Sequence, residues 1–219
     1  MFKKLILLLI LPVLLHAQNK PTSSDIEQTD SGKNSSLQKI IIDSDISFNE
    51  ALSELKIPAN IKDQLVLETV NYYGLDDMLH QGQILVNKKI AEEVIQIFEF
   101  IKQIRFPIEK VIPLSKYNWS DSKSMEDNNT SSFNFRFVSG SRILSKHANG
   151  LAIDINPKLN PYVKKGKTIP ANAVYDSTSV GTLTQNSELV KEFKRRGWSW
   201  GGDWKSLKDY QHFQKELEN

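Results

Sequence analysis

The sequence predicts a single α+β domain with a small, mostly antiparallel sheet flanked by helices. Three windows read as helices, and several short windows alternate apolar and polar residues as strands do. The two kinds do not alternate strictly along the chain, as they would around a parallel sheet. At 39% hydrophobic and 25% charged, the 219 residues suit one globular domain and a leader.

Residues 1–17 read as a secretory signal peptide. Lys3 and Lys4 precede an apolar run over 5–15, interrupted by Pro12, and Ala17 stands before the polar Gln18. The run falls short of the roughly 20 apolar residues of a spanning helix, so no stable membrane span is expected after cleavage. An uncleaved anchor is the alternative. Either way the chain is expected to be exported, to the periplasm or cell envelope. Residues 18–40 are rich in Ser, Thr, Asn, Asp and Lys and too polar to build a core, which predicts a flexible tether.

The globular domain is expected over 41–219. Phe48, Leu52 and Leu55 recur at helical spacing and predict a short helix over 45–55. Residues 65–73 alternate as a strand, with Gly74, Asp76 and Asp77 as turn formers, and 84–86 continue the sheet. Ile90, Val94, Ile97, Phe98 and Ile101 make one apolar stripe, predicting the longest helix over 87–104. A strand is expected over 108–114, a polar loop over 120–132, and strands over 133–138 and 151–155. A last helix over 187–196 meets Gly197, well placed as its left-handed terminator.

Charge and cysteine usage narrow the function. Without Lys3 and Lys4, 26 basic residues face 26 acidic ones, which gives no reason to expect nucleic acid as a partner. The absence of cysteine rules out disulfides, anchoring through a lipidated N-terminal cysteine, and thiol hydrolysis. A monomer is the expected assembly.

Of four histidines, His147 and His212 sit in the most unusual segments. These are Ser145-Lys-His-Ala-Asn-Gly-Leu-Ala-Ile-Asp154 and, after Trp200-Gly-Gly-Asp-Trp204, Asp209-Tyr-Gln-His-Phe213. A hydrolytic zinc site needs three protein ligands, commonly imidazoles and a carboxylate, one open position, and a separate carboxylate to take a proton from water. His147, Asp154 and His212 supply the three ligands, and Asp209, one turn before His212, the base. Alternation places Asp154 on the strand face opposite Leu151, Ile153 and Ile155, and Gly150 lets the chain bend after His147. A structural zinc site would more often use four ligands, including cysteine.

Together these motifs resemble the metallopeptidases that include D-alanyl-D-alanine carboxypeptidases, vancomycin-resistance D,D-dipeptidases and phage L-alanyl-D-glutamate endopeptidases. Residues 127–134 with Arg136, and 82–88 leading into the long helix, are similar to segments of the same family, so the resemblance covers about 65–214. It implies the hedgehog/D-Ala-D-Ala peptidase fold, a Zn2+ ion on His147, Asp154 and His212, and Asp209 as general base. Some relatives carry Glu at the place of Asp209. It further implies that Ser145 orients substrate and that Arg136 stabilises the oxyanion or grips a carboxylate, with Arg142 near enough to compete. The implied substrates are peptidoglycan stem peptides, the bond being D-alanyl-D-alanine or L-alanyl-D-glutamate. A metal-containing wall-binding or signalling module without catalysis is the rival reading.

The remaining unusual residues have plainer explanations. His80, in a polar turn, reads as structural. Trp204 is placed in the cleft as readily as in the core, and Trp198 and Trp200 in packing. Gly201 and Gly202 suit a tight turn. Lys194, Arg195 and Arg196 complement a helix C-terminus. Residues 129–134 shape a groove wall or form a capped surface loop.

Overall fold

A computed structural model describes residues 39–217. The signal peptide and nearly all of the tether fall outside that range. Ile40, at the expected end of the tether, already begins a strand.

In chain order the elements are β1 (Ile40–Ile42), α1 (Phe48–Ala51), α2 (Ala59–Lys62), β2 (Leu65–Tyr73), β3 (Leu79–Asn87), α3 (Ala91–Gln103), β4 (Lys110–Val111), α4 (Asp121–Glu126), β5 (Asn129–Thr130), β6 (Ala152–Asp154), β7 (Tyr162–Lys164), β8 (Lys167–Ile169), α5 (Glu188–Arg195), β9 (Trp198–Trp200), β10 (Lys208–Asp209) and β11 (His212–Lys215). The class is α+β, as expected. Instead of one small sheet there are four: β1-β3-β2, β10-β7-β8, β6-β11-β9 and the pair β4-β5. Antiparallel pairing dominates, and β1-β3 and β4-β5 are parallel. Among the described residues, no helix is long and apolar enough to cross a membrane.

The β2-β3 hairpin and α3 form one half of the core. Val94, Ile97, Phe98 and Ile101 of α3 are buried against Val70, Tyr72, Ile84 and Val86. The other half is β6-β11-β9 with α5: Phe193 stacks on Phe213 at 3.9 Å and meets Trp198 edge-on. Leu151, Ile153 and Ile155 join the halves. Burying a ring of this size is worth a few kcal/mol, so the sheet that carries Asp154 and His212 is anchored on its back.

Several expected boundaries move, for identifiable reasons. The first helix is only Phe48–Ala51, opened by a capping box between Ser47 and Glu50. The long helix starts at Ala91, after a 3-10 turn over Lys88–Ile90 that Asn87 caps. The strand expected over 108–114 pairs only at Lys110–Val111, because Pro113 has no N–H and a 3-10 turn follows it. The supposed loop 120–132 contains α4, capped by the Ser120 hydroxyl, and β5. Residues 133–138 alternate but form no strand: Phe133 N–H donates to Leu85 and Asn134 N–H to His147, leaving one isolated bridge, Phe137 to Leu144.

The Lys194 ammonium pairs with Asp203, and Arg195 and Arg196 with Glu192, so this basic cluster is spent inside the fold. His80 is buried between Asp43 and Asp76 at 3.0 and 3.1 Å and stacks on Tyr72, a structural clamp on β1.

Candidate metal centre

The centre is assembled by two pieces of local structure. His147 lies on a 3-10 turn, Lys146–Asn149, that starts at Ser145 and ends at Gly150 with φ 64°. A Cβ at Gly150 would lie 2.6 Å from the backbone nitrogen of Asn87, so glycine is required by crowding as well as by backbone angle. Asp154 and His212 are direct partners across the antiparallel pair β6-β11, which puts both side chains on one face.

The three expected ligands meet. His147 Nε2 lies 3.2 Å from His212 Nδ1 and 3.3 Å from Asp154 Oδ2, and His212 Nδ1 lies 3.0 Å from Asp154 Oδ1. All three residues are buried, with 3–7% exposure. Three donors at tetrahedral positions about 2.0–2.1 Å from a zinc ion would stand about 3.3 Å apart. The triangle therefore has the size of a coordination face.

The outer nitrogens decide how the rings present themselves. His147 Nδ1 is 2.6 Å from the Ser132 carbonyl, which can only accept, so Nδ1 carries the proton and Nε2 faces the centre as a base. His212 Nε2 is 3.1 Å from Gln214 Oε1, which leaves Nδ1 to face the centre. Burial alone would raise the Asp154 carboxyl, but the charges and hydrogen bonds of His147 and His212 hold it well below the usual carboxylate range. Burial alone would lower His212; its hydrogen bond to Asp154 and the charges of Asp154 and Asp209 raise it instead. Two imidazoles with a carboxylate are a donor set suited to zinc.

Asp209 ends β10 and is separated from His212 by a two-residue turn in extended chain, not by a helical turn. Its Oδ1 is enclosed without a hydrogen-bond partner. Burial and the Asp154 charge push its carboxyl up to about 6, against the pull of His212 and His147. A half-buried acid raised to about 6, with one oxygen enclosed and unbonded, suits proton transfer. Gly201 makes room for it: a Cβ there would lie 2.4 Å from the Asp209 carbonyl oxygen and 2.8 Å from its Cβ.

The other expected site residues fare differently. Trp204 is half-buried with its ring centroid 5.4 Å from that of His212, beside the centre. Trp198 and Trp200 are core. The Ser145 hydroxyl accepts from the His147 N–H at 3.3 Å, so it shapes the turn that carries the ligand. Arg136 pairs with Asp121 at 3.2 Å, and Arg142 stands exposed at a turn. The Asn129 amide is spent on Ile112 and Ser124, giving that side chain a structural role, while Ser132 of the same segment reaches His147. Sequence reasoning missed Gln214 and the Ser132 carbonyl. Gln214 could have been found from its place two residues after His212, on the same face of a strand.

Residues 139–215 match the family described as D-alanyl-D-alanine carboxypeptidase. In this stretch the chain is similar to those carboxypeptidases. The match takes in His147, Asp154, Trp204, Asp209 and His212 and leaves Arg136 outside. Together with the buried His-Asp-His triangle it supports a peptidase with a metal centre. No solved structure matches the chain.

Proposed function

We propose that this protein is an exported zinc peptidase that hydrolyses a peptide bond in peptidoglycan stem peptides, as a D-alanyl-D-alanine carboxypeptidase or an L-alanyl-D-glutamate endopeptidase. The observation that carries the reading is the buried triangle of His147, Asp154 and His212 with the Asp209 carboxyl, one oxygen enclosed and unbonded, within reach of its charges. Zinc, when bound, polarises a carbonyl and lowers the pKa of water towards about 7.

His147, Asp154 and His212 would hold the ion. The Ser132 carbonyl and Gln214 keep the two rings turned the right way. Asp209 takes a proton from the attacking water and returns it to the leaving amine, a task suited to a carboxyl near about 6. Trp204 shields the centre from bulk water on the His212 side. Arg136 and Ser145 act as supports unless substrate draws them from Asp121 and the His147 N–H.

The enclosed, unbonded Asp209 Oδ1 favours catalysis over a wall-binding module, since a module has no use for a carboxyl raised beside the metal ligands. The test is incubation of purified protein with muropeptides, with and without chelator, followed by mass spectrometry. Chelator-sensitive release of D-alanine, or new D-glutamyl N-termini, identifies the bond. Unchanged muropeptides at saturating zinc would eliminate the enzyme.

A further inference from the structure

The hairpin β7-β8 lies beside the proposed base through its pairing with β10. In β10-β7-β8, Asp209 is opposite Tyr162, and Tyr162 is opposite Ile169. Residues directly opposite one another project from the same face, with Cβ atoms about 4.5–5.5 Å apart. Asp209, Tyr162 and Ile169 therefore form one row from the enclosed carboxyl outwards, and Ile169 at its end is 46% exposed. Two residues along, on that same face, Lys164 is opposite Lys167 across a two-residue turn, Lys165-Gly166, whose φ angles are both positive.

Directly opposed like charges destabilise a hairpin. Among the described residues no acid pairs with Lys158, Lys164, Lys165 or Lys167. No Asp or Glu occurs over 155–175, although the whole chain is nearly balanced in charge. The hairpin is also braced against the base: Tyr175, just beyond β8, stacks on Tyr210 at 3.7 Å, and Tyr210 N–H donates to Pro161. An arm fixed to the base segment, with an aromatic and an aliphatic side chain followed by two uncompensated ammonium groups, matches an extended peptide that carries a carboxylate.

We propose that β7-β8 is the substrate arm of the zinc peptidase, a role that rests on the peptidase reading above. Tyr162 and Ile169 receive the apolar surface of the residues next to the scissile bond, and Lys164 with Lys167 binds a side carboxylate of the same peptide. Strand rise places the lysines about 7 Å beyond Tyr162, roughly two residue lengths of extended peptide.

The test compares two synthetic stem peptides, one with free side carboxylates and one amidated, on the full zinc-loaded protein. The double variant Lys164→Gln/Lys167→Gln is expected to raise KM for the acidic peptide about fivefold at low salt, with kcat nearly kept. For the amidated peptide KM should stay put. Tyr162→Ala should raise KM for both by about tenfold, and Tyr162→Phe should restore it. A lysine variant that affects both peptides equally, or neither, overturns the arm. Should the wild-type protein cleave neither peptide, the peptidase reading fails, and calorimetric binding then judges the arm separately. Preference for the acidic peptide that vanishes in the lysine variant sustains it; equal affinities overturn it.

Discussion

Replacing Asp209 with Asn removes a carboxyl that the fold holds at a cost. Its ordinary value is 3.8, and burial followed by the charge of Asp154 moves it up to about 6. A folded-state value above the unfolded one means that the native protein resists ionisation: the penalty is full above about 6 and fades as pH falls towards 3.8. Two pKa units correspond to about 3 kcal/mol at most. The side chain keeps some solvent contact although its Oδ1 is enclosed, so about 1–3 kcal/mol is the expected gain at pH 7.5 for Asp209→Asn. The gain should shrink to about half by pH 5. Urea denaturation of wild type and variant in chelator, at the two pH values, reads it directly. Turnover should meanwhile fall by about 10²–10⁴, a stability–activity trade at a functional site. A variant no more stable at pH 7.5, or a gain independent of pH, refutes the electrostatic argument for Asp209.

Gln214→Leu removes the acceptor that orients His212 and should weaken zinc binding about 10–100-fold in a chelator competition, with circular dichroism unchanged; unaltered affinity would show that the ring needs no such partner. Gly201→Ala forces the Asp209 backbone aside, so kcat/KM should drop about 10²-fold while the bound zinc per chain stays constant. Loss of zinc in that variant would mean that the whole loop, and not the base alone, had moved.

How much of this the sequence could reveal depended on where each residue's partners lie. The ligands were legible because each is embedded in local chemistry: Ser145 and Gly150 bracket the turn of His147, and period-2 alternation orients Asp154. The strand over 65–73 and the helices over 87–104 and 187–196 were legible because their apolar faces repeat with the right period. Residues 120–132 misled because polar side chains there are satisfied internally, with Asn129 bonded to Ile112 and Ser124. Alternation over 133–138 misled because its backbone partners, Leu85 and His147, are remote in sequence and form no ladder. The hairpin β7-β8 gave no signal, since its strands are only three residues long and three lysines lie in and beside its turn. For Arg136, the competing ion pair with Asp121 could not be read from spacing.

The central claim is that His147, Asp154 and His212 share one divalent cation. X-ray absorption on zinc-reconstituted protein, with elemental analysis of wild type and His147→Ala, tests it most directly. The expected result is one zinc per chain in wild type, with two imidazoles, one carboxylate and a non-protein oxygen as neighbours, and zinc lost in the variant. Zinc retained by His147→Ala, or a fourth protein ligand closing the coordination sphere, would contradict it.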